Sequence, residues 1–494
     1  MISNPFNEDF PILYDIVENT NYSAQDYANL FRRIISEILD MDAHICGIQL
    51  DHLPAQAKGL IECLNTSPHP LAKSISIVFC LAHAINLVFI HCLKNSSLFG
   101  DLIQQIIAII PILRTPKAIQ LIGLKCPLAV TSRWLYILDP LRFILKHRNT
   151  INLLLDPDSQ IPLSFSYLYA ILLPLRAFQN WAEKTSSALW ELLPIATQII
   201  QQFTKTAEIL DESYYPLLQE VVSRFIARII GNYYRIAATS LSFSSFGRYI
   251  LRSQNEGNLT QSDGGLSMPD PVDALKDVTE FYENNINIIY QQIFNIPANN
   301  PANTPSNNTD NDPDSFSNDE IVNDEVAISI EEIVATDSSS QEEQNETGFQ
   351  SYENEYSQLQ NEELSSLLTF DFYKYLYQYA VQQISETATT LEIDAQLANK
   401  LFDQWLFNKT STLSFSSFIS QDPSIMWRKA IATNSDWKPL AIIALHFVSL
   451  GTSEADVERC VSIQRDMQIN KTRINLSTIK ARMKLRLREQ HNDD

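Results

Sequence analysis

At 494 residues the chain is long enough for two or three domains and a large core, and its 45% hydrophobic content is that of a globular protein. Only 11 glycines, with no Walker-type loop and no GxGxxG, argue against a nucleotide-cradling enzyme. The net charge of −22 does not exclude a nucleic-acid partner, because residues 301–360 hold fifteen Asp/Glu and no Lys/Arg, leaving −7 for all the rest.

In chain order, residues 10–18 read as a strand. Residues 23–39 read as a helix behind Ser23 as N-cap, with Tyr27, Leu30, Phe31, Ile34, Ile35, Ile38 and Leu39 at helical spacing. Ile45 to Leu50 fits a central strand that ends at Asp51, and a helix starts near Pro54 and runs to about Leu64. Ser74 to Cys80 is a further strand and Leu81 to Leu93 a helix. This alternation predicts an α/β sheet with parallel pairing at its centre. Residues 101–250 are helical patterns broken at Pro111, Pro116, Pro140, Pro162, Pro174, Pro194 and Pro216. A polar loop covers 252–270 and a helix 271–294. The acidic, Asn- and Ser-rich stretch 295–360 reads as disordered, and helices resume from Glu362 to about residue 490.

The first nine residues lack the basic and apolar regions of a signal peptide, and the six cysteines form no CxxC, so reduced thiols in an intracellular protein are expected. Ser74 to Leu93 contains His83, Asn86 and His91 and divides into a buried strand and a buried helix, so no membrane span is expected.

Several residues carry candidate chemistry. Asp51 stands where a strand ends, the place where open α/β sheets collect ligands; a carboxylate there suits Mg²⁺ or Mn²⁺, and equally a turn. Cys80 and His83 share a helical face, but no second Cys/His pair supports zinc. Arg133-Trp134 heads a helical stretch. Glu458 lies on a helix after the break Gly451-Thr452-Ser453, within Val457-Glu458-Arg459-Cys460-Val461-Ser462. Residues 459–488 hold nine Lys/Arg against Asp466, and Lys480 and Arg482 flank an apolar stripe of Leu476, Ile479, Met483 and Leu487. The aromatic run Phe370, Phe372, Tyr373, Tyr375, Tyr377 and Tyr379 reads as helix core rather than a base-stacking platform.

In their order and distances, the blocks Cys80-Leu81-Ala82-His83-Ala84-Ile85-Asn86-Leu87, Thr131-Ser132-Arg133-Trp134 and Trp437 to Arg473 resemble the hAT superfamily of DNA transposases. The resemblance covers most of the chain outside 252–360. It implies an incomplete RNase H-like α/β sheet interrupted by a large helical insertion. Residues 1–95 would form the first part of that core without its opening strands, and 96–294 the helical insertion. An acidic linker would follow at 295–360, the insertion's second part at 361–424, and the C-terminal helices that complete the core and dimerise at 425–494.

It further implies that Asp51 and Glu458 correspond to two members of an Asp–Asp–Glu triad that holds Mg²⁺ or Mn²⁺ in active relatives. Val457 and Val461 depart from the family's Ser-Glu-Arg-x-Phe-Ser string, and neither the first Asp nor a BED-type zinc finger is found. Arg133, Trp134, His83, Lys480 and Arg482 become the expected DNA contacts, with self-association and a nuclear location. The expectation is a transposase-derived protein, truncated at its N-terminus and inactive in cleavage, that keeps dimerisation and DNA binding. A fragment of an active transposase lacking its first exon, and a helical scaffold with no DNA role, are the alternatives.

Overall fold

Two short strands pair in parallel in the computed structural model, which describes residues 23–40, 45–51, 53–128, 134–155, 160–184, 187–256, 273–294, 359, 362–407, 422–433 and 435–452. Strand β1 (Gly47–Leu50) sets Gly47 opposite Ser76 and Leu50 opposite Phe79 of β2 (Ser76–Phe79). Both are shorter than their apolar runs, and Pro70–Ser74 winds into a 3-10 turn before β2. The expected strand at 10–18 lies outside the described residues.

Local signals position the surrounding helices. Helix α1 (Ala24–Leu39) starts where the Ser23 hydroxyl accepts the Asp26 N–H at 3.2 Å, satisfying one of the donors a helix start leaves over. Its buried face packs on α2 (Pro54–Thr66), whose first residue, Pro54, has no N–H to satisfy. Ile35, Leu39, Leu50, Leu60 and Cys63 close a core between these helices and β1. After β2 the single residue Cys80 leads into α3 (Leu81–Asn95).

The helices beyond divide into two compact units. One draws on 1–89, 174–281 and 343–494, the other on 90–173 and 282–342. Residues 174–281 fall in the same unit as the parallel strands. Hydrophobic periodicity identifies a helix but not which helices share a core.

The smaller unit takes in α4 (Ser97–Leu113), α5 (Pro116–Ile122), α6 (Leu138–Lys146), α7 (Arg148–Asn152) and parts of α8 (Ser164–Ala182) and α12 (Asp273–Phe294). Arg148 ties it together, donating to the Ile161 carbonyl at 2.8 Å and to Gln292 Oε1 at 3.1 Å.

In the larger unit α9 (Leu192–Ala207) leads to the 28-residue α10 (Tyr215–Ser242) and then to α11 (Ser245–Glu256). The chain continues through α13 (Leu364–Leu367), α14 (Leu376–Thr390), α15 (Ala395–Phe407), α16 (Pro423–Thr433) and α17 (Lys438–Val448). Helix α10 packs on α9, α14 and α17 and reaches β2, and its Val221, Val222, Phe225 and Ile226 are fully buried.

The prolines behave in two ways. Pro116 and Pro216 sit in first helical turns, but Pro111 and Pro174 lie inside α4 and α8 and break neither. An interior proline costs about 3 kcal/mol. Complete or near-complete burial of Leu172, Leu173 and Leu175 around Pro174 offsets that cost. No described helix is long and apolar enough to cross a membrane; α3 and α4, apolar when taken together, are separate helices bent by 105°.

Candidate functional site at the carboxyl edge of the parallel strands

The register of the two strands decides what meets at their carboxyl ends. Leu50 faces Phe79, and the Cys80 N–H continues the ladder by donating to the Leu50 carbonyl at 2.8 Å. Asp51 therefore leaves β1 beside the point where α3 begins, and His83 sits in the first turn of that helix. The two side chains approach to 3.9 Å between Asp51 Oδ1 and His83 Nδ1, with 48% and 42% of each exposed. That separation is beyond a hydrogen bond, so the attraction is a screened charge contact that requires protonated His83.

A third segment arrives from the far end of the chain. On α17 the buried His446 places Nε2 3.2 Å from the Ser76 hydroxyl at the start of β2. Next, Leu450 lies over the start of β1. A Cβ at Gly47 would fall 2.5 Å from Leu450 Cδ2 and 3.0 Å from the Ser76 carbonyl, so a side chain there would have to displace the end of Leu450. Gly451 comes beside the Gln49 side chain. The Thr452 carbonyl then accepts the Leu81 N–H at 2.9 Å, filling one of the open donors at the head of α3. In three residues the chain passes from the amino ends of the strands to their carboxyl ends.

This passage is clasped from its other side. The Leu189 N–H donates to the Leu450 carbonyl at 3.0 Å, Ala188 and Gly451 form an antiparallel bridge, and the Thr452 hydroxyl bonds to that of Ser187. Beneath the clasp the buried Glu191 accepts the Trp181 indole N–H at 3.0 Å and the Ala188 N–H at 3.2 Å. Burial pushes the Glu191 carboxyl up, against the pull of these two bonds. Sequence reading takes Gly451-Thr452-Ser453 as a helix break and does not single out Ser187 or Glu191; the clasp joins residues 265 positions apart, and no local pattern marks it.

Two polar atoms near this edge have no hydrogen-bond partner, Gln49 Nε2 on β1 and Asn86 Oδ1, one turn beyond His83. Cys80 and His83 do share the head of α3, yet no group of three His, Cys, Asp or Glu side chains able to hold a metal gathers among the described residues. Among the described residues Cys46, Cys63, Cys80, Cys92 and Cys126 form no disulfide. Burial raises Cys46 to about 11 and Cys126 to about 12, which keeps both as inert thiols.

Of the other expected contacts, Trp134 opens a 3-10 turn, Trp134–Ile137. Arg133, Glu458, Lys480 and Arg482 lie outside the described residues. The aromatic run is mixed rather than all core, since Phe372 is fully buried while Tyr375 and Tyr377 are 47% and 41% exposed. No family model matches the chain, and no curated protein matches it.

Proposed function

We propose that this chain is an hAT transposase-derived protein with an incomplete RNase H-like core, self-associating and binding DNA in the nucleus without cutting it. The observation that carries the reading is the meeting of three segments distant in sequence at one strand edge: Asp51 after β1, His83 at the head of α3, and Thr452, hydrogen-bonded to Leu81. These are the segments that the family resemblance picks out, and the carboxyl edge of parallel strands is where open α/β sheets carry their chemistry. Glu458 is six residues beyond Thr452, within about 20 Å of chain reach.

The metal is a separate question. Asp51 and His83 supply one carboxylate and one imidazole, whereas Mg²⁺ and Mn²⁺ favour several oxygen ligands and a two-ion site needs converging carboxylates. Among the described residues, which do not include Glu458, this donor set does not fit a two-ion site. Arg133, Lys480 and Arg482 are assigned to phosphate and Trp134 to base stacking.

Fluorescence anisotropy with a labelled duplex tests the reading. Binding at 50 mM salt should fall on the order of 10³-fold by 200 mM if about six phosphates are neutralised. The double change Lys480→Gln with Arg482→Gln should reduce both the affinity and the salt slope. Absence of binding at 50 mM salt would leave a helical scaffold with no DNA role. Metal-dependent cleavage that Glu458→Gln abolishes would mean an active transposase fragment instead.

A further inference from the structure

Hydrogen bonds fold residues 112–126 into one corner of the smaller unit. The Thr115 hydroxyl donates to the Ile112 carbonyl at 2.8 Å and caps α5 by accepting the Ala118 N–H at 3.4 Å. Gly123 ends α5 in the left-handed region, at φ 82°, and donates its N–H to the Ile119 carbonyl at 2.8 Å. Arg114 donates to the Cys126 carbonyl at 2.5 Å, which draws the chain after α5 back to the end of α4. Around this corner Ile112 is 44% exposed, Leu121 49% and Leu124 57%. One exposed leucine is ordinary, but three around a tied corner make a patch. Ile112 and Leu121 stand on α4 and α5 themselves, ahead of the segment that follows Leu128.

The rim of the corner is basic. Lys117 and Lys125 are exposed, and among the described residues no carboxylate pairs with either. The sequence holds no Asp or Glu between Asp101 and Asp139. An apolar face edged by cations suits an apolar segment that carries acids. This chain roots such a segment close by. Helix α5 packs on α7, whose Arg148 donates to Gln292 Oε1 at 3.1 Å, two residues before α12 ends. The acidic stretch begins there, and one run within it is apolar, Ile321 to Val334. That run has eight Ile, Val or Ala, with Asp324, Glu325, Glu331 and Glu332 among them and no Lys or Arg. Twenty-seven positions separate Phe294 from Ile321. A linker of that length spans about 30 Å, whereas helices in contact stand about 8–10 Å apart.

We propose that the α4–α5 corner is a docking surface for the acidic arm of the same chain. Ile321 to Val334 covers Ile112 and Leu121 and sets its carboxylates against Lys117 and Lys125. A modest contact is enough, because tethering holds the arm at an effective concentration on the order of millimolar.

Carbodiimide joins amines to carboxylates without a spacer. The full chain is treated with it at low salt, and the products are digested and mapped. Links from Lys117 or Lys125 to Asp324, Glu325, Glu331 or Glu332 are expected, in excess of links to Asp310, Asp312 and Asp314. The latter three are nearer the root, so tethering without docking would favour them, and that order would overturn the proposal. Ile328→Ser with Ile330→Ser keeps every charge and should lower the yield at least about fivefold, through the loss of two buried side chains. Leu121→Ser should act in the same direction from the other partner. Should Leu121→Ser fail to fold, the paired arm variant carries the test, since it alters no residue of the corner. An unchanged yield in that paired variant would leave charge attraction alone and overturn the docking. With isotope-labelled and unlabelled chains mixed, the links should stay within one copy. Links between copies would make the corner an interface of the oligomer and overturn the proposal, as would the absence of any link to Lys117 or Lys125.

Discussion

The carboxyl edge of the strand pair and the α10–α11 corner belong to the same compact unit and are built by opposite means. At the edge, Asp51 and His83 are about half exposed and meet across 3.9 Å, with three chain segments converging around them. At the corner, Trp427 and Phe243 are fully buried and hydrogen bonds from two indoles hold consecutive backbone carbonyls. Chemistry-bearing residues sit where packing is light, and rigidity comes from aromatic residues that carry no motif. The contrast implies very different costs for substitutions in the two places.

The largest effect should come from Trp427→Ala, which removes a buried ring and leaves the Phe243 carbonyl without its donor. A loss of about 3–5 kcal/mol is expected from the shift in denaturant midpoint. A loss below about 1 kcal/mol would break the comparison, because the corner would then be no firmer than the edge.

Gly247→Ala forces a methyl against the Leu241 carbonyl, and overpacking of this kind costs about 1–3 kcal/mol. Thermal unfolding measures it, and a neutral result would show that the turn yields.

The clasp at residues 450–452 is the one firmly held part of the edge, and Glu191 tests it. Glu191→Ala strands the Trp181 and Ala188 donors and should cost about 1–3 kcal/mol. Glu191→Gln sharpens the point through pH. Burial raises the folded carboxyl above its unfolded value, so the stability tied to that shift is complete below the unfolded pKa of about 4.3 and is lost as pH rises through the folded pKa. The glutamine variant cannot ionise, so it should gain on the wild type across that window and hold level above it. Parallel pH profiles for the two proteins would contradict a buried, destabilised carboxylate.

The smallest effect belongs to Asp51→Asn, which should change stability by about 0–1 kcal/mol, since the contact with His83 is exposed and long. A loss of several kcal/mol would mean that Asp51 is structural, and would weaken its candidacy as a site residue.

What could be read from the sequence follows the range of the forces involved. Ser23 and Pro54 mark helix starts through neighbouring backbone groups, and both stand where local pattern predicts. Asp51 and the Cys80–His83 pair were legible because strand ends and helix starts are local events, and parallel pairing then brings them together. Pro174 misleads as a breaker because burial of the leucines around it is a tertiary effect. The division of the helices between two units has no local cause at all. The contact between Arg248 and Trp405 has no local signal either: nothing in Ser245 to Glu256 indicates that a ring in a helix more than a hundred residues later would lie against that side chain.

The nuclease ancestry proposed for this molecule rests on one spatial claim, that the chain leaving Thr452 brings Glu458 to the edge occupied by Asp51. Spin labels introduced at residues 51 and 458 as noncanonical amino acids, read by pulsed dipolar spectroscopy in the full-length protein, measure it directly. A single narrow distance well below the ~20 Å that six extended residues could span from Thr452 is the predicted result. A broad distribution, or a distance near that limit, would contradict a shared site and leave Asp51 as a solvated carboxylate at the end of a strand.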